Sequence, residues 1–152
     1  MYERQAIKLF LSNVLYTKNS LTSQNENSDG KRRILAVDDD HDTTLAVKMV
    51  LEDSGLFQVD TFNDPKLALS SFKPGLYDLV LLDFRMPRMY GHELADEMKK
   101  LDSKVKVCFM TATYTNYEAL RDSFPTIEIE CYIQKPVKTR DLIRKINAEL
   151  EQ

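Results

Sequence analysis

Apolar residues recur along this chain in two alternating rhythms. Ile34 to Val37 and Leu79 to Leu82 are short, nearly unbroken apolar runs. They are too brief for buried helices and predict strands covered on both faces. Between and after them come stretches with helical spacing. Asp40 or Asp42 can cap a helix whose inner face carries Leu45, Met49 and Val50, with Ser54 and Gly55 ending it. Phe57 to Phe62 alternates, which predicts a more exposed strand. Asp64 followed by Pro65 starts a second helix, stopped at Lys73, Pro74 and Gly75. Gly91 to Leu101 predicts a third, with Leu94, Met98 and Leu101 on one face. Val105 to Met110 is the fourth strand. Thr115 and Glu118 form a capping-box pattern for a fourth helix that ends before Pro125. Ile127 to Gln134 alternates again as a fifth strand. Thr139 to Leu150 closes the pattern as a helix with Leu142, Ile146 and Leu150 on one stripe.

Strand and helix thus alternate through five units, which predicts an α/β fold with a doubly wound parallel sheet and right-handed crossovers. The wholly apolar first and third strands belong at the centre, and the alternating second and fifth at the edges. Strand order 2-1-3-4-5 satisfies both conditions. It puts a topological switch point between the first and third strands, where ligands bind in open sheets.

Residues 1–30 break the pattern. Ala6, Ile7, Phe10, Leu11 and Val14 allow a short amphipathic helix over 3–16, and 17–30 reads as an Asn- and Ser-rich flexible linker. Residues 31–152 form the folded domain. Charges balance in the first segment, so the net charge of −3 belongs to the domain. That sign suggests no nucleic-acid footprint. No stretch is apolar and long enough to span a bilayer, and Lys8 interrupts the one apolar segment near the start that could serve as a secretory signal. Cys108 and Cys131 fall within predicted strands and read as buried thiols of a reducing, cytoplasmic compartment.

The predicted topology collects chemistry at the carboxyl edge of the sheet. The first strand ends in Asp38, Asp39 and Asp40, the third in Asp83, the fourth in Thr111 and the fifth in Lys135. Carboxylates that close repel and need a cation at neutral pH. Hard oxygen donors without thiolate or imidazole favour Mg2+, which pairs a few carboxylates with a phosphate. The hydroxyl of Thr111 and the ammonium of Lys135 complete a phosphate-sized cradle. One aspartate can then act as a nucleophile and form an acyl phosphate.

From about Arg32 to Leu150 the chain resembles the receiver domain of two-component response regulators, the CheY-like superfamily with a flavodoxin-like fold. The matching stretches are ILAVDDD, LLDFRMP, MTA and YIQKP. The resemblance implies that Asp83 is the phosphoacceptor and that Asp38, Asp39, Asp83 and the backbone carbonyl of Arg85 hold Mg2+. It makes Thr111 and Lys135 the residues that bind the phosphoryl group, with Thr111 and Tyr132 as the switch pair. Arg85 and Thr113 fall at the two positions that tune phosphoryl loss, and a cis bond is expected between Lys135 and Pro136. The alternating pattern agrees on Tyr132, which shares a face with Glu128 and Glu130, away from Ile127, Ile129, Cys131 and Ile133. The implied partners are a histidine kinase or phosphotransfer protein upstream. Downstream, a protein partner or second copy would meet the face of the fourth helix, fifth strand and fifth helix. Since the given chain stops just after Leu150, a stand-alone receiver is expected, which catalyses only its own phosphorylation and dephosphorylation.

The chain departs from the family at Arg88 and Tyr90, where many receivers carry Gly and an acidic residue. His41, beside the acidic run, reads as an exposed residue at a helix start. Two other functions compete. A pseudo-receiver would bind partners without phosphorylation, although the intact aspartate set, Thr111 and Lys135 oppose it. A haloacid dehalogenase-type phosphatase would use Asp40 and Asp42 of a DxDxT pattern, but two aspartates separate that pattern from the apolar strand.

Overall fold

The computed structural model describes residues 30–112 and 117–152. Among them, strands and helices alternate in the order β1 (Arg32–Val37), α1 (His41–Asp53), β2 (Phe57–Phe62), α2 (Pro65–Ser71), β3 (Leu79–Asp83), α3 (Gly91–Leu101), β4 (Lys106–Thr111), α4 (Tyr117–Ser123), β5 (Tyr132–Gln134) and α5 (Thr139–Leu150). The sheet is parallel throughout, in the order β2-β1-β3-β4-β5. Every residue of β3 is buried, as its unbroken apolar run requires of a central strand. Successive side chains alternate between two cores. On one face Leu35, Val80, Leu82 and Phe109 pack with Leu94, Met98 and Leu120 of α3 and α4. On the other, Ile34, Ala36, Leu81 and Met110 pack with Val47 and Leu51 of α1 and with Leu142 and Ile146 of α5.

Local chemistry sets the helix starts. Asp40 caps α1 by accepting from the backbone N–H of Asp42, and Asp64 caps α2 by accepting from Lys66 at 2.8 Å. Tyr90, ahead of α3, donates its backbone N–H to Glu93 of the first turn.

Several expectations need correction. Leu45 is 37% exposed, because the inner face of α1 runs through Val47, Val50 and Leu51. Leu101 lies outside as well, and Ala95 joins Leu94 and Met98 on the inner face of α3. The fifth strand is limited to Tyr132–Gln134. The preceding residues curl beneath α4, with the Ile127 N–H donated to Phe124 and the Ile129 carbonyl accepting from the Tyr117 hydroxyl. Ile127 and Ile129 therefore pack on the Tyr132 side of the sheet. The cysteines are not free thiols. Cys108 and Cys131 form a disulfide between adjacent strand segments whose Cα atoms are 4.5 Å apart. The signal available in the sequence was their location on neighbouring strands of the predicted order. The possible helix over 3–16, residues 17–29 of the linker, Thr113 and Thr115 lie outside the described residues.

Candidate functional site

β1 and β3 run side by side, pairing Val37 with Leu82, so both strands deliver their next residues to the same edge. Asp38 and Asp83 are buried there and Asp39 is exposed, and ligand oxygens of all three lie within 4.8 Å of one another. Lys135 reaches in from the end of β5. Its Nζ donates to Asp38 Oδ2 at 2.5 Å and lies 3.7 Å from Asp83 Oδ1. Its backbone N–H bonds the Thr111 carbonyl at 3.0 Å, so the lysine is anchored to the end of β4. Thr111 is fully buried at that strand end. The Lys135–Pro136 bond is cis, in line with the family resemblance.

Two supports were not legible as site residues. Asn63, just after β2, donates its Nδ2 to the Asp38 carbonyl at 2.8 Å and to the Thr44 hydroxyl at 2.9 Å, which ties the acidic loop to its neighbour. Gly91 opens α3 against the end of β3. A Cβ there would lie 2.2 Å from the Asp83 backbone oxygen, so only glycine permits this approach.

The electrostatics follow from burial and crowding. Asp83 is pushed up to about 7, first by burial and then by the negative charge of Asp38, with Lys135 opposing. Burial also raises Asp38 above the usual carboxylate range against the pull of Lys135. One ammonium among three carboxylates leaves an excess of negative charge. A hard divalent cation fits such an all-oxygen donor set.

The rim carries the departures from the family. Arg85 is exposed, two residues beyond Asp83. Arg88 adopts φ 74° and pairs with Asp64 at 3.5 Å. Tyr132 is partly buried, with its ring 6.3 Å from that of Tyr117 of α4 and its carbonyl accepting from Lys145 of α5 at 3.2 Å. His41 stands outside the acidic cluster and faces Asn63 at 3.1 Å. Asp40 has both oxygens engaged by the first turn of α1, which makes it a cap and not the nucleophile of a phosphatase motif.

Residues 34–147 match the family model of the response regulator receiver domain, and the chain belongs to this family. It is 32% identical over 121 residues to the cyclic di-GMP phosphodiesterase response regulator RpfG of Xanthomonas campestris, covering 79% of this chain and 32% of the relative. It is 32% identical over 120 residues to the regulatory protein VanRB of Enterococcus faecalis, covering 79% and 53%. The chain therefore spans about a third to a half of these relatives. A CheY-like receiver domain of Methanospirillum hungatei aligns with TM-score 0.69 at 32% identity, covering 80% of this chain and 94% of that one. The response regulator TrrA of Thermotoga maritima, solved in complex with Mg2+ and BeF, aligns with TM-score 0.66 at 32% identity, covering 77% and 97%. The fold and function are those of a receiver domain in phosphorelay signalling, a family that works with histidine kinases or phosphotransfer proteins. Among the described residues no helix is long and apolar enough to cross a membrane.

Proposed function

We propose that Asp83 accepts a phosphoryl group from a histidine kinase or phosphotransfer protein. The observation that carries this reading is the convergence of Asp38 and Asp39 on Asp83, with Lys135 set among them. Asp38, Asp39, Asp83 and the backbone carbonyl of Arg85 would hold Mg2+, which supplies positive charge against the repulsion between carboxylate and phosphate. An Asp83 oxygen attacks phosphorus, and the bond from phosphorus to the donor imidazole nitrogen breaks. The Lys135 ammonium and the Thr111 hydroxyl bind the oxygens of the transferred group. Hydrolysis of the acyl phosphate resets the site, with Arg85 and Thr113 tuning its rate. The domain's own chemistry is confined to gaining and losing this group.

Residues 31–152 form the receiver unit, and residues 1–30 are an extension to it. Phosphate on Asp83 draws Thr111 toward it and makes room for Tyr132 to turn inward, which changes the face built by α4, β5 and α5. Tyr117, Tyr132 and Lys145 already meet there. Output is a protein partner or a second copy on that face, in the cytoplasm, without direct nucleic-acid or membrane contact.

Incubation with acetyl phosphate and Mg2+ tests the reading. Wild-type protein should gain one phosphoryl group, and Asp83→Asn should gain none. Failure of wild type to label would favour a pseudo-receiver. If phosphorylated wild type and Asp83→Asn gave the same spectra around Tyr132, the switch would be wrong.

A further inference from the structure

The Cys108–Cys131 disulfide joins the two segments that carry the switch machinery. Thr111 ends β4, three residues after Cys108, while Tyr132 and Lys135 follow Cys131. Among the described residues β5 is the shortest strand, and it lies at the sheet edge. Its backbone pairing with β4 is short: the pairs Phe109–Tyr132, Met110–Ile133 and Thr111–Gln134, with flanking hydrogen bonds from Phe109 N–H to the Cys131 carbonyl and from Lys135 N–H to the Thr111 carbonyl. A short edge strand of this kind is the sort of element that opens locally. The covalent bond adds to this pairing, beside the strand that delivers Lys135 to Asp38 and Asp83.

Position also decides how the bond can turn over. Both cysteines are buried, Cys108 at 0% and Cys131 at 8% exposure, so a reductant reaches the bond through local opening of the short edge strand. The Cα separation of 4.5 Å falls within the range that disulfides span. The bond lies on the face covered by Leu142 and Ile146 of α5, opposite the Tyr132 ring.

We propose that Cys108 and Cys131 form a reversible redox-modification site that sets the phosphorylation rate of the receiver. This inference rests on the phosphoacceptor reading of Asp83. In the reductive direction a dithiol attacks the Cys131 sulfur and the S–S bond breaks, releasing the Cys108 thiolate. A mixed disulfide forms, and the second thiol of the reductant resolves it. Two electrons and two protons end on the cysteines, and the reductant leaves as its own disulfide. In the oxidative direction hydrogen peroxide takes both electrons: one thiol becomes a sulfenic acid with loss of one water, and the other displaces its oxygen as a second water. In a reducing compartment such bonds are transient and serve as sensors.

The test compares wild type after peroxide, wild type after dithiothreitol, and Cys131→Ser. Alkylation of unfolded protein followed by mass measurement reads the thiols. Acetyl phosphate labelling reads the site, and amide exchange of residues 132–134 reads the strand. Oxidised protein should resist alkylation, and reduced protein should take an alkyl group on both cysteines. Amide exchange in β5 should be about tenfold faster after reduction. Labelling should be roughly tenfold slower in reduced protein and in Cys131→Ser, since misplacement of a catalytic group by about 1 Å can cost a hundredfold. Full alkylation after peroxide, or equal labelling rates in both redox states, would overturn the proposal. Absence of labelling in every form would instead remove the phosphoacceptor reading, and with it the rate control proposed here. If Cys131→Ser does not fold, the two redox states of wild type decide the matter alone.

Discussion

Lys135 and Asp38 stand 97 positions apart in the chain, yet Lys135 Nζ lies 2.5 Å from Asp38 Oδ2. Both side chains are largely buried, so this pair differs from the exposed ion pairs elsewhere on the domain. Removing one partner of a buried pair leaves an uncompensated charge, which costs about 3–5 kcal/mol when nothing else neutralises it. Here protonation of Asp83 offers relief, so Lys135→Met should cost less, roughly 2 kcal/mol at neutral pH and less in acid. Urea titration at two pH values measures this. Acetyl phosphate labelling of the same variant should fall about a hundredfold, as expected for loss of a charge aimed at the reacting group.

Metal binding should depend steeply on pH. Asp83 is raised to about 7 in the metal-free protein, chiefly by burial. Its folded value exceeds its unfolded one, so its contribution to stability is fully present below the unfolded value near 4 and is lost as pH rises through about 7. A cation at the site competes with that proton and restores stability on the alkaline side. Thermal melts with and without Mg2+ should therefore converge near about pH 5 and separate by about pH 8. Asp83→Asn should flatten the metal-free profile across the same range. A metal-dependent increment of equal size at both pH values would contradict the assignment of Asp83 to the site.

Gly91 offers a steric test. A methyl group there would meet the Asp83 carbonyl at 2.2 Å, and that neighbour is backbone at the end of a buried strand. Either α3 or the phosphoacceptor segment must move. Gly91→Ala should destabilise by about 1–3 kcal/mol, the usual range for overpacking, and labelling at Asp83 should fall with it. Serine should behave like alanine, because the clash begins at Cβ. Denaturant unfolding followed by labelling of the folded fraction separates the two effects.

The sheet order and the site were readable for one physical reason. Strands buried on both faces need continuous apolar runs, and the carboxylates that end them need no partner within the run. Asp38 and Asp83 were visible as breaks in hydrophobicity, and strand order then brought them together. Leu45 and Leu101 misled because helical spacing allows neighbouring stripes, and only the tertiary contacts choose between them. The extent of β5 was misread for a similar reason. Ile127, Ile129 and Ile133 alternate as a strand would, but Tyr117 and Phe124 of the α4 region capture the first two. Asn63 carried no signal at all, since its partners are the backbone carbonyl of Asp38 and the Thr44 hydroxyl in the first turn of α1. The disulfide needed the pairing of two particular segments, which spacing in sequence does not specify.

Arg88 separates stability from function at the rim. Its φ of 74° is a left-handed conformation that costs a non-glycine residue about 1–2 kcal/mol. Its ion pair with Asp64 is exposed, 68% on the arginine side, and so contributes at most about 1 kcal/mol. Glycine would relieve the strain but lose about 0.5–1 kcal/mol through the entropy of the unfolded chain. These contributions nearly cancel, so Arg88→Gly should leave the unfolding free energy within about 0.5 kcal/mol of wild type. The effect should fall on kinetics instead. Arg88 adds a positive charge beside a site that receives a phosphoryl group from an anionic donor. Labelling by acetyl phosphate should slow several-fold in Arg88→Gly, and its dependence on ionic strength should weaken. Rates measured across a salt series would show this, and Arg88→Lys should retain the salt dependence. A glycine variant with wild-type rates at every salt concentration would mean that the strained arginine serves neither the fold nor the approach of the donor.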